Sequence, residues 1–98
     1  MKILGYDYEF EKNVNDHTGS YGWFDAKSLT IQIADNLNKQ QKESTILHEI
    51  LEALSYHLML EIGNNIIMPL EAGLYQVLTD AGVDLSPLSL EFEKILEE

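Results

Sequence analysis

The hydrophobic period of this chain changes once, between Ala34 and Asn38. Before that point Tyr6, Tyr8 and Phe10 alternate with Asp7, Glu9 and Glu11, and Leu29, Ile31 and Ile33 alternate with Thr30 and Gln32. Period two puts successive side chains on opposite faces, the pattern of half-buried strands. From Lys39 onward the apolar spacing becomes three and four, which is helical. Strands followed by helices predict an α+β fold.

Punctuation refines this order. Polar, turn-rich Lys12–Ser20 separates a first strand, Lys2–Phe10, from a hairpin made by Tyr21–Phe24 and Leu29–Ile33. Asn36 or Asn38 can cap the first helix, which runs to about Glu61, where Gly63-Asn64-Asn65 stops it. A second helix is expected from about Ile66 to Ala81, with Pro69 in its first turn and Gly82 at its end. Ser86-Pro87 reads as the start of a short last helix, Leu88–Leu96. Nothing resembling a linker or repeat divides the chain, so residues 1–98 read as one domain. Its expected architecture is a small antiparallel sheet of about three strands, two main helices and a short C-terminal helix.

A core of this size buries roughly 60–65% of the unfolded surface. No run approaches the roughly 20 apolar residues that span a bilayer. Met1–Gly5 leads directly into polar residues, unlike a secretory leader. With no cysteine there are no disulfides or thiolate ligands, and a cytoplasmic setting is expected. Seventeen acidic against six basic residues give a net charge of −11. That field repels phosphate backbones, so no direct nucleic-acid partner is expected, and it attracts metal ions or a basic protein. A metal here must be held by His, Asp and Glu.

The stretch Thr45–His57, TILHEILEALSYH, offers such donors. At about 100° per residue, Leu47, Leu51, Leu54 and Leu58 form a core stripe, with His48, Glu52, Ser55 and Met59 beside it. A spacing of four lets His48 and Glu52 converge on one ion. Glu49, a quarter turn away, can act as general base toward a water held there. The motif is H-E-x-x-H with glutamate at the second histidine position; an ordinary solvated acidic face carries the same residues. His57 falls on the far side of the helix and is expected to be exposed, and His17 is expected at the surface of its loop. On the second helix, Ile67, Leu70, Leu74, Val77, Leu78 and Ala81 form the apolar face, with Glu71 inside or beside it. A carboxylate in a packed interface is costly unless paired or bound to a cation. Glu71 can also snorkel at the face boundary or sit favourably near the helix N-terminus.

The run from Tyr21 to Asp80 resembles the small zinc metallopeptidase-like proteins of phages and prophages, of the ImmA/IrrE type. The likeness rests on the hairpin YGWFDAKSLTIQI, the helix segment ILHEILEAL and the later PLEAGLYQVLTDAG. It implies a minimal zincin fold, in which His48, Glu52 and Glu71 are the metal ligands and Glu49 is the catalytic base. Glu52 stands where the family usually has histidine. The implied cofactor is zinc, with manganese or iron admitted by an oxygen-rich donor set. The implied activity is hydrolysis of a peptide or protein substrate, laid beside a sheet edge supplied by Leu29–Ala34 or its hairpin partner. Two anionic ligands would make the metal a weaker Lewis acid than two histidines would. Two other functions stay open: an acidic interaction module that binds a basic host protein, and a metal that only staples the helices.

Overall fold

The computed structural model describes residues 1–13 and 21–88. Its order is β1 (Lys2–Ile3), β2 (Tyr6–Asp7), β3 (Glu9–Asn13), β4 (Gly22–Asp25), β5 (Thr30–Ala34), α1 (Lys39–His57) and α2 (Asn64–Asp80). The α+β class holds, with sheets of two and three strands preceding the helices. Ser86–Leu88 begin a further helical turn, while His17 and residues 89–96 of the expected last helix lie outside the described residues.

The expected first strand is three short ones. Leu4 and Gly5 both take positive φ, 52° and 85°, and fold β1 back on β2. The larger sheet has the order β3-β5-β4 and is mixed, not wholly antiparallel as expected. β4 pairs antiparallel with β5, but β3 runs parallel to it, with Phe10 opposite Ile31 and Lys12 opposite Ile33. Alternation marks which residues share a face and says nothing about strand direction. β5 is therefore the central strand, and the edge nearest the helices is its partner β4.

Tyr8, Phe10, Ile31 and Ile33 form the sheet side of the core, against Ile46 and Ala53 of α1. Half-buried Ile50 and Leu54 pack at its margin. The expected stripe is thus displaced: Leu47 is buried, Leu51 is half-buried and Leu58 is 53% exposed. Apolar residues occupy neighbouring strips of α1, and the sheet selects the one bearing Ile46 and small Ala53. On α2, Ile67 is buried, but Leu70 and Val77, expected in its apolar face, are 47% and 63% exposed. Ala81 is also exposed, while Leu74 and Leu78 are half-buried. This helix packs chiefly on α1, so only a narrow strip is covered.

The helix ends are set by local hydrogen bonds. Asn38 forms a reciprocal capping box with Gln41, its Oδ1 accepting from the Gln41 N–H at 2.8 Å. α1 stops at His57, earlier than expected, because Leu60 N–H donates to Ser55 O and Met59 N–H to Tyr56 O. Met59 takes the left-handed conformation (φ 53°) that usually falls to glycine at such a stop. The early stop lets α2 begin at Asn64, so Pro69 lies in its second turn, not its first. A matching closure, Val83 N–H to Leu78 O and Gly82 N–H to Thr79 O, ends α2.

Candidate metal centre

Edge strand β4, helix α1 and helix α2 enclose a cleft of about 630 Å³. Tyr21 to Phe24 supply one wall, Thr45, His48, Glu49 and Glu52 the floor, and Asn64, Met68, Glu71 and Ala72 the other wall. The short turn after His57 produces this arrangement by returning α2 alongside α1.

His48, Glu49 and Glu52 offer donor atoms that all lie within 4.8 Å of one another. His48 Nε2 and Glu52 Oε1 are 3.2 Å apart, as the spacing of four on one helix predicts. Both side chains are partly open to the cleft. Glu49 is different. It is 4% exposed, and its Oε2 is the one buried side-chain oxygen or nitrogen among the described residues without a hydrogen-bond partner.

Burial pushes the Glu49 carboxyl up to about 9. The adjacent Glu52 adds to the rise by favouring a shared proton and repelling a second negative charge. Either a proton or a cation answers a buried oxygen such as Glu49 Oε2. One imidazole and two carboxylates are also a donor set that zinc, manganese or iron accepts, so the residues present fit a divalent ion.

Glu71 lines the same cleft but stands outside the converging trio. Its Oε1 accepts a hydrogen bond from Ser44 Oγ at 2.6 Å. The structure thus brings His48, Glu52 and the expected base Glu49 together, and holds the expected third ligand on the opposite wall.

Ser44 escaped the sequence reading, and Gly22 entered it only as part of the hairpin YGWFDAKSLTIQI, with no role of its own. Ser44 lies four residues before His48, on the strip that continues to Glu52, so helical spacing alone could have marked it. Gly22 interrupts an aromatic strand, which signals a close approach of something to the backbone. Here that is α1: a β-carbon on Gly22 would fall 2.6 Å from Thr45 Cγ2 and 2.9 Å from Glu49 Oε1.

His57 departs from its expected exposed position. It is half-buried, hydrogen-bonded through Nε2 to the Tyr8 hydroxyl, and stacked on Tyr6 with ring centroids 4.2 Å apart. Tyr6 comes from β2 and Tyr8 from the residue between β2 and β3, so the end of α1 meets the N-terminal segment. Burial, with smaller contributions from Tyr56 and Tyr6, raises the Tyr8 phenol above its ordinary value. His57 and Tyr56 do not line the cleft of His48.

No protein-family model, curated protein or solved structure matches this chain. No described helix is long and apolar enough to cross a membrane.

Proposed function

We propose that this chain is a metal-dependent, peptidase-like hydrolase of minimal zincin type, of phage or prophage origin and acting in the host cytoplasm. The observation that carries the reading is the buried Glu49 carboxyl, its Oε2 without a hydrogen-bond partner, beside His48 and Glu52 at the floor of an open cleft. His48 and Glu52 would hold the ion, with Glu71 on the α2 wall as third ligand; zinc is the first choice, and manganese or iron also suit the set. When bound, such an ion supplies a Lewis acid and makes a coordinated water acidic near neutral pH.

Glu49 does the proton work. In the metal-free protein the Glu49 carboxyl, pushed up to about 9, holds its proton at neutral pH; beside a cation on His48 and Glu52 its charged form would be favoured, and could then take a proton from water and return it to a leaving amine. Its burial behind Gly22 keeps it in place between those transfers. Edge strand β4 gives an extended peptide a backbone to pair with along the cleft.

The test is elemental analysis of protein purified without chelator or histidine tag, followed by a peptide-library cleavage assay. One ion per chain and cleavage lost in Glu49→Gln, with the ion retained, support the reading. A protein that takes up neither zinc nor manganese overturns it.

A non-enzymatic interaction module is the second reading. It is favoured by the large apolar side chains left exposed on α2, including Met68, Leu70 and Val77. A basic host protein would be its partner, given the net charge of −11.

A further inference from the structure

Beside the cleft, across Glu52, lies a second cavity of about 430 Å³. Phe24, Glu52 and Asn64 line both spaces, so the two are neighbours. We infer that this second cavity is a side-chain pocket for a lysine or arginine of the substrate, adjacent to the bond to be cut. Its role in hydrolysis rests on the reading above; its ability to bind does not.

The chemistry of the walls argues for this occupant. Phe24, Tyr56, Met59, Ile62 and Ile67 present aromatic and aliphatic surface, which suits a long hydrocarbon stem. Among the described residues, the charged groups in the lining are both carboxylates, Glu52 and Glu61, with no lysine, arginine or histidine. An acidic side chain would meet two like charges within an already anionic protein. A purely apolar one would fill the walls but gain nothing from Glu61 on the rim. A basic side chain satisfies both: its stem packs on the apolar walls while its head reaches a carboxylate and the face of Tyr56.

Glu61 is the discriminating group. Glu52 belongs to the metal trio, whereas Glu61 lies on the connection between the helices, outside that trio. Its backbone takes φ 57°, part of the tight path that forms the pocket rim. Its exposure keeps the bound cationic head partly in water, so binding needs no buried ion pair.

The experiment is a methyl-detected NMR titration of the full chain at about 0.15 M salt, which screens long-range attraction. The probes are capped pentapeptides, Gly-Gly-X-Gly-Gly, with X as lysine, arginine, norleucine or glutamate. They are titrated into metal-free wild type and into the Glu49→Gln variant with zinc added. Lysine and arginine peptides should shift the Met59, Ile62 and Ile67 methyls, and bind about fivefold tighter than norleucine, the upper range for one exposed ion pair. Glu61→Gln should remove that advantage and leave norleucine binding unchanged. The pocket assignment is overturned if norleucine binds as tightly as lysine, if Glu61→Gln leaves the ratio intact, or if the shifts fall on methyls outside the cavity. Lysine binding with these signatures in a protein that takes up no zinc would sink the hydrolase reading alone.

Discussion

Gly22 and Glu49 meet with no room for a side chain between them. A β-carbon on Gly22 would lie 2.9 Å from Glu49 Oε1, 3.1 Å from its Cγ and 2.6 Å from Thr45 Cγ2. The edge strand therefore seats directly on the acidic group of α1, which buries Glu49 and leaves its Oε2 unpartnered. The glycine permits this close seating of the strand on the carboxyl.

Gly22→Ala is accordingly expected to destabilise the fold by about 1–3 kcal/mol, the usual range for overpacking. It should also weaken metal uptake by displacing Glu49 and its neighbours. Adding Thr45→Ser removes the nearest clashing atom and should restore much of the stability, while the Glu49 contact remains and metal uptake stays impaired. Urea unfolding and a zinc titration of the single and double variants check this. Equal recovery of both properties would mean that Glu49 was never displaced.

The pH dependence of stability follows from the same group. Glu49 titrates at about 9 when folded and near 4.3 in an unfolded chain. Folding therefore takes up a proton between those values. This contribution is fully present below the unfolded value and is lost as pH rises through about 9. Metal-free protein should lose stability across that window, with a slope approaching about 1.4 kcal/mol per pH unit. Glu49→Gln should flatten the profile, and zinc, by replacing the proton, should stabilise more as pH rises. Urea midpoints from pH 5 to 9 give the measurement; a flat wild-type profile contradicts a protonated Glu49.

The readability of the sequence differs by element for physical reasons. Helix spacing fixed the convergence of His48 with Glu52, because positions four apart on a helix share a side whatever else it packs against. It could not fix which apolar strip of α1 meets the sheet, since Ile46, Leu47, Ile50 and Leu51 offer neighbouring choices. Strand alternation located Tyr8, Phe10, Ile31 and Ile33 but not the parallel pairing of β3 with β5, a long-range property. The apposition of Gly22 with Glu49, like the bond from Ser44 to Glu71, depends on how separate elements meet. His57 was misplaced because its partners, Tyr6 and Tyr8, lie about fifty residues earlier in the chain.

The hairpin joining β1 and β2 offers a stability test remote from the cleft. Leu4 and Gly5 form its two-residue turn, flanked by the pair Ile3 and Tyr6, and both take positive φ. Such a turn favours asparagine before glycine, and a leucine in the left-handed region is strained by roughly 1–2 kcal/mol. Leu4 is 51% exposed, so little packing is lost on replacing it. Leu4→Asn should stabilise by about 1 kcal/mol, raising the melting temperature by roughly 4–8 °C for a chain this size. Leu4→Val should lower it. Calorimetry of the three proteins decides, and an unchanged or lower melting temperature for the asparagine variant would show that Leu4 packing outweighs the turn.

Ser44 and Glu71 carry the last prediction, which separates the two sets of ligands the cleft could use. If Glu71 completes the site, its hydrogen bond from Ser44 orients a ligand, and such supporting bonds are worth about 10–100-fold in metal affinity. Ser44→Ala should then weaken zinc binding by about tenfold, and Glu71→Ala should weaken it further. If the ion is held by His48, Glu49 and Glu52 alone, both substitutions leave affinity unchanged while Glu49→Gln abolishes it. Competition titration against a chromophoric chelator distinguishes these outcomes. The proton-transfer role assigned to Glu49 requires the first, because a carboxylate committed to the ion as a ligand is not free to act as its base.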